Sequence, residues 1–453
     1  MKFSLLKITG LCAFFFYCIS LQSQDLYITG GHYFDTESGE MIANEGIIIK
    51  SGKIVGVNSN QGITRGFERI RLKDDQYILP GIFDVHAHYR VTFDGIRKDE
   101  VEVNPIIFLA NGVTSTFPNG EIEPEKMMAT RKAINSGEKI GARIHNSGPY
   151  FGTAFPGWNP ETTAEEINKR VDKWAELGVA GFKAKGINPT QLEALIKRAH
   201  KHGLTVTGHL GSGYKTTVNP KMAIEMGIDR IEHFIGGEAL PDSQSAYATL
   251  QNLDPMSPLL DKQIDRFINY NVYFDATLTA YGYYGHREEL YDYWHNERKY
   301  LTTYAEELTQ NTRQKLDMFQ KIFDVKKITV KRYYDKGGKI TLGTDHPSVG
   351  EFLAGFSSHR EMEALSSIGI PNAAVIRIAT INGANALRLG NKFGSITTGK
   401  LADLFVVEGN PLDDITNTRN IFRVVKGGEV YDPVKLLKSV EGKMGPKNKA
   451  DWK

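Results

Sequence analysis

The chain has 453 residues, of which 41% are hydrophobic and 24% charged. That is enough apolar material for a large folded core and too much for a disordered or fibrous protein. Its 55 basic and 53 acidic residues leave a formal net charge of +2, which argues against nucleic acid or an anionic membrane surface and leaves a small molecule as the expected partner.

Positions 1–23 carry Lys2 and Lys7, then the apolar run Ile8 to Ile19, then small and polar residues. This is the pattern of a secretory signal peptide, with an apolar run shorter than a membrane span ordinarily needs. Cleavage after Ser20 or Ser23 is expected, sending the mature protein to the periplasm or outside the cell with no stable membrane span. Cys18 as a lipoprotein acceptor comes second, because Phe16 and Tyr17 before it are bulky; a retained membrane anchor comes third. Both cysteines, Cys12 and Cys18, fall within this segment. The mature chain would then have no thiol, which excludes disulfides, a cysteine nucleophile and thiolate ligands, so a metal must sit on nitrogen and oxygen.

From residue 24 to 80 short β-branched runs alternate with turn residues: Leu26 to Thr29, Gly46 to Lys50, Ile54 to Val57. Similar runs return at 389–435, in Leu404 to Val407, Ile421 to Val425 and Gly427 to Val430. Strands at both chain ends predict a small composite β-sandwich. Residues 81–388 instead alternate strands with helical periodicity. Ala180 to Lys185, the helix Thr190 to His202 and the strand Leu204 to His209 form the clearest unit, and Arg230 to His233, Val272 to Thr277 and Lys339 to Asp345 continue the series. Such repeats predict an α/β fold, either a closed (β/α)8 TIM barrel or an open doubly wound sheet. The barrel is preferred, because polar residues recur at strand ends, where barrel active sites are assembled.

The stretch 235–330 is longer than one barrel unit needs and is dense in aromatics, among them Tyr281, Tyr283, Tyr284, Tyr291, Trp294, Tyr300 and Tyr304. It is expected to be an insertion over the barrel mouth, its aromatics serving either packing or substrate contact. The lysine-rich segment 436–453 is expected to be a flexible tail.

The run Leu79-Pro80-Gly81-Ile82-Phe83-Asp84-Val85-His86-Ala87-His88 places two imidazoles two residues apart. In an extended strand they share a face, which is half of a metal site. Further strand-end polar residues are Lys183, His209, His233 and Asp345. Each has an innocent reading as a cap, a solvated charge or a surface histidine. Six of them on one rim are hard to explain that way.

With these motifs, Gly208-His209, Glu232-His233, Gly343-Thr344-Asp345, His359-Arg360-Glu361-Met362-Glu363, Thr380-Ile381-Asn382-Gly383-Ala384 and Gly399-Lys400-Leu401-Ala402-Asp403-Leu404, the chain resembles the amidohydrolase superfamily. Within it, imidazolonepropionase-like enzymes and Xaa-Pro or Xaa-Arg dipeptidases are similar. The resemblance implies that His86 and His88 bind a more buried metal with Asp345, and that His209 and His233 bind a more exposed one. Lys183 would bridge them as a carbamate (N6-carboxylysine) formed with carbon dioxide. Lys185 shares the Lys183 face and is the rival bridge. Two divalent ions, zinc ahead of manganese or iron, would then lower the pKa of a shared water towards about 7 and supply the attacking hydroxide. Asp345 would be the catalytic acid and base.

The activity this implies is metal-dependent hydrolysis of an amide or other C–N bond in a dipeptide or cyclic amide. Lactone or phosphoester hydrolysis, or lyase or isomerase chemistry on a sugar acid, would use the same metals. Deaminase relatives use one metal and lack the bridging lysine. A metal-free structural member is disfavoured by the complete ligand set, and a homo-oligomer is allowed. His145, Tyr281 and His346 are expected near substrate, with His359 near the rim; His200 and His202 end a helix, where dipole and solvent explain them. Many relatives have an arginine where this chain runs Thr116-Phe117-Pro118-Asn119-Gly120, so no substrate-carboxylate role is assigned to that loop.

Overall fold

The computed structural model describes residues 25–59, 64–211, 218–239, 249–285, 297–310, 317–346, 353 and 355–452. The expected signal segment and Tyr291 and Trp294 lie outside them. The fold is mixed α/β, and among the described residues no helix is long and apolar enough to cross a membrane.

Two sheets are built from the chain ends. One has four strands, in the order Lys53–Val57, Ile47–Lys50, Leu26–Thr29, Glu68–Arg71. The other has six, and in it Leu404–Glu408 pairs antiparallel with Gln76–Pro80, Phe405 opposite Leu79. Alternate side chains of the two sheets, including Leu26, Ile28, Ile47, Ile49, Ile78, Leu404, Val406 and Val425, meet in one apolar cluster. Period-two alternation puts these residues on one face of each strand, and their burial is what couples the two ends of the chain.

Between the ends lie two parallel sheets. The first orders Arg143–Ile144, Val113–Pro118 and Ile82–Ala87. The second orders Tyr150–Phe151, Gly181–Lys185, Thr205–His209, Arg230–Glu232, Tyr273–Asp275 and Lys339–Thr341. Backbone bonds also join the two: Val85 N to Leu342 O at 3.0 Å, Asp345 N to His86 O at 2.9 Å and His88 N to His346 O at 3.0 Å on one side, Ala180 N to Asn146 O at 2.8 Å on the other. The strands are buried on both faces, so they read as near-continuous apolar runs.

The connecting helices are fixed by ordinary local signals. In Ala164–Glu176, Thr163 and Glu166 form a reciprocal capping box. Pro189–Lys201 begins with an Asn188 cap and a proline, and buries Leu192, Leu195, Ile196 and Ala199, the one-sided spacing of a helix against a sheet.

Two expectations need correction. The range 235–330 is not one insertion. It contains the helix Pro258–Asn269 and the strand Tyr273–Asp275, a regular unit of the parallel sheet, and the added segments such as Leu278–Gly285 and Thr303–Gln310 follow that strand. Nor is the described part of 436–453 a free tail. Met444 is fully buried, its N–H donates to Tyr300 O at 2.8 Å, and Trp452 Nε1 donates to Ile96 O at 3.0 Å. The lysine-rich composition conceals three apolar anchors, Val440, Met444 and Trp452, which pack with Phe93 and Tyr300.

Candidate metal centre

The strand Ile82–Ala87 begins where Gly81 N donates to Asp403 O at 2.8 Å. A β-carbon at Gly81 would lie 2.1 Å from Thr114 Oγ1, so only glycine lets these chains approach. From there Asp84, His86 and His88 project alternately to the inside. Asp84 accepts from His86 N at 3.0 Å and from Thr344 Oγ1 at 2.8 Å. It thereby ties the strand's end to the turn that carries Asp345.

His86 Nδ1 donates to Asp275 Oδ2 at 2.6 Å, leaving Nε2 3.3 Å from Asp345 Oδ1 and 3.8 Å from Glu232 Oε2. His88 Nε2 lies 2.8 Å from the same Asp345 oxygen. The His233 ring centre is 4.3 Å from that of His209 and 4.9 Å from that of His86, and its Nδ1 lies 2.7 Å from Thr277 Oγ1. Lys183 points to the same interior and ion-pairs with Glu232 Oε2, while Glu232 Oε1 accepts from Asn119 at 2.6 Å and Thr207 at 2.7 Å. Lys185 lies one alternation further along, opposite His209 in register.

The donors converge in two overlapping sets, His86 with His88 and Asp345, and His86 with Glu232 and His233; within each, one ligand atom per residue lies within 4.8 Å of the others. His209 Nε2, His233 Nε2 and His88 Nδ1 are buried without a hydrogen-bond partner. An unpartnered buried polar atom is costly, and a divalent cation among the carboxylates would satisfy the His209 and His233 nitrogens, whereas His88 meets Asp345 with Nε2 and turns its Nδ1 away. The residues therefore fit a metal bound through nitrogen and oxygen.

Burial pushes His88, His209 and His233 well below the ordinary imidazole range, which keeps them neutral as ligation requires. Burial also acts to lower His86, but Glu232, Asp275 and Asp345 outweigh it and leave His86 up at about 9. A cation taking His86 must therefore displace a proton. Burial acts to raise Asp345, yet His86 and the hydrogen bonds from both histidines hold it well below the usual carboxylate range. Lys183 is pushed down by burial more than Glu232 lifts it, and Lys185 is brought to about 7 by burial and Arg90.

The structure thus gathers His86, His88, Lys183, His209, His233 and Asp345, with Tyr281 beside them at 6.0 Å from the His233 ring. His346 is bonded to this strand through its backbone, its ring 6.4 Å from Tyr283. His145 is not brought to the cluster, a correction to its expected substrate role. Its ring stacks on Phe83 at 5.0 Å and meets Phe393 at 5.2 Å in an apolar layer outside the strand, because odd-numbered residues of Ile82–Ala87 face away from the interior. His359 is also structural, bridging Thr418 Oγ1 and Asn111 O at 3.0 Å each. His200 and His202 pair with Asp229 and Asp172.

Sequence reasoning missed Glu232 and Asp275 as site residues. An acid inside an otherwise apolar strand, as in Val272 to Ala276, was the available signal. Because Asp275 orients His86 and enriches its free nitrogen, Asp275→Asn is expected to weaken zinc binding about 10- to 100-fold with the fold retained. Competition against a calibrated chelator reads this directly, and parental affinity would remove Asp275 from the site.

The Amidohydrolase family matches residues 77–435, and the chain belongs to that family. The fold is shared with a Xaa-Pro dipeptidase solved with bound methionine in the active site, at 22% identity and a TM-score of 0.67, covering 90% of this chain and 100% of that one. It is shared likewise with molinate hydrolase, at 19% identity and a TM-score of 0.69, covering 94% and 99%. A shorter similarity, 36% identity over 92 residues, relates 20% of this chain to 14% of Adenine deaminase 4 of Rhizobium meliloti (strain 1021). The match thus spans well under two thirds of that curated relative's length.

Proposed function

We propose that this protein is a binuclear metal-dependent amidohydrolase that cleaves an amide or related C–N bond in a small molecule such as a dipeptide or cyclic amide. The observation that carries the reading is the convergence of four buried histidines, a lysine and a carboxylate, with the Nε2 atoms of His209 and His233 left unpartnered. Family membership and the dipeptidase and hydrolase folds point the same way. On this reading the two parallel sheets form one closed (β/α)8 barrel beside a β-sandwich from both chain ends, and the backbone bonds across both seams support it.

His86, His88 and Asp345 would hold one cation, zinc being the first choice, and His209 and His233 the other. Lys183 would bridge them after its neutral amine adds carbon dioxide: the nitrogen forms the new N–C bond, and Glu232, which accepts from Nζ, is placed to take the released proton. Bound divalent cations supply Lewis acidity, activating water and polarising a carbonyl. Asp345 has a side chain 22% exposed, where Glu232 and both HxH histidines are at most 2%, so it stands at the open edge. From there it can take a proton from water and deliver it to the leaving nitrogen. Tyr281 lies against His233 and would contact substrate.

The test is metal content by plasma mass spectrometry on protein grown with zinc or manganese, followed by a screen of dipeptides, cyclic amides, lactones and phosphotriesters. About two metals per chain and turnover confined to C–N substrates are expected. Protein that stays metal-free after refolding with either ion would sink the reading.

A further inference from the structure

The helix Asp317–Asp335 sends one charged side chain to the interior. Lys326 is 2% exposed, and its Nζ donates to the backbone carbonyl oxygen of His233. The ammonium also sits 4.5 Å from the centre of the Tyr281 ring, 5.6 Å from Phe234 and 6.0 Å from Phe274. Among the described residues it has no ion-pair partner. A lysine buried in this way is rare and calls for a reason.

That reason lies in His233, whose φ is +63°. A non-glycine residue seldom adopts the left-handed region, and does so when its surroundings hold it there. Here His233 N donates to Asp275 O at 2.9 Å, and the next residue folds back, Phe234 N donating to Glu232 O at 2.6 Å. The turn swings the His233 carbonyl out of the sheet ladder, and among the described residues no backbone N–H of a neighbouring strand donates to it. Lys326 supplies the missing donor. With the carbonyl captured on one side and Nδ1 held by Thr277 on the other, Nε2 stands 3.9 Å from Glu232 Oε2 and 4.0 Å from Asp345 Oδ2, within the cluster.

We infer that Lys326 is a positioning residue: by capturing the His233 carbonyl within an aromatic cage, it holds the left-handed turn that directs the His233 imidazole into the metal cluster. Its effect on metal binding rests on the reading above, whereas its effect on the His233 backbone does not. The helix Asp317–Asp335, which leads into the strand Lys339–Thr341, is thereby part of the site's construction as well as its cover.

Lys326→Met keeps the apolar stem among the rings and removes the donor; Lys326→Arg keeps a donor. The expected result is that crystals of metal-free Lys326→Met show His233 out of the left-handed region, and that zinc affinity by chelator competition falls at least about tenfold, with partial recovery in Lys326→Arg. Should the methionine variant not fold, Lys326→Gln, which ends short of the carbonyl, carries the same expectation. His233 unmoved and parental zinc affinity in the folded variant would overturn the inference. A parent that binds no zinc would instead refute the metal reading, and the His233 backbone in the variant crystal would still decide the role of Lys326.

Discussion

Replacing Lys183 by methionine is expected to abolish most metal binding and, in the metal-free, unmodified protein where the ammonium pairs with Glu232, to destabilise the fold by roughly 3–5 kcal/mol. Lys183 and Glu232 are 1% and 0% exposed and pair directly. Removing the ammonium strips the buried Glu232 of its direct counter-charge, leaving the Asn119 and Thr207 hydrogen bonds and the more distant His86 imidazole at 3.8 Å, and breaking a buried ion pair is among the largest single-site penalties. Lys185→Met is the matched control. It removes a lysine two residues away on the same face, one with no ion-pair partner among the described residues, and is expected to leave metal content and stability near parental. Metal analysis and urea midpoints on the three proteins decide it. Full metal content in Lys183→Met, or equal losses in both variants, would show that the bridge has been assigned to the wrong group or does not exist.

Asp345→Asn is expected to lower turnover about 10²- to 10⁴-fold on whichever C–N substrate the screen yields, the range for loss of a positioned proton-transfer group. The substitution is clean for a backbone reason. Asp345 has φ +58°, and asparagine tolerates that region nearly as well as aspartate, so the charge changes while the turn does not. The amide can still accept from His88, but it cannot take a proton from water. Single-turnover rates on protein matched for metal content separate this from simple loss of a ligand. A variant with parental turnover would exclude Asp345 as the acid and base.

Much of the centre was legible because its marks are local. Two histidines at a spacing of two inside an apolar strand necessarily share a face, and Lys183 and Lys185 share one for the same reason. His209, His233 and Asp345 each close a strand-like run. What could not be read was the set of partners. His86 finds Asp275 across 189 residues, Lys183 finds Glu232 across 49, and Lys326 reaches His233 across 93. No periodicity links such pairs. Strand pairing brings the first two together, and the packing of the helix Asp317–Asp335 on the sheet brings the third.

The errors have the same origin. His145 closes a strand-like run in the sequence as His209 does, yet its ring packs against Phe83 and Phe393 on the outer side of the neighbouring strand. The C-terminal lysines suggested a solvated tail, but Met444 and Trp452 find a hydrophobic surface made by Phe93 and Tyr300, residues far away in the chain.

The sequence by itself determined the alternation of strands and helices, the paired sheets at the two chain ends, and the residue types able to bind a metal, because these follow from side-chain period, turn chemistry and composition over a few residues. The tertiary structure alone decided which imidazole nitrogens are left without partners, which acid orients His86, and which buried cation holds the His233 turn. Those depend on burial and on distances of a few ångströms between elements dozens to hundreds of residues apart, where desolvation makes each partner indispensable.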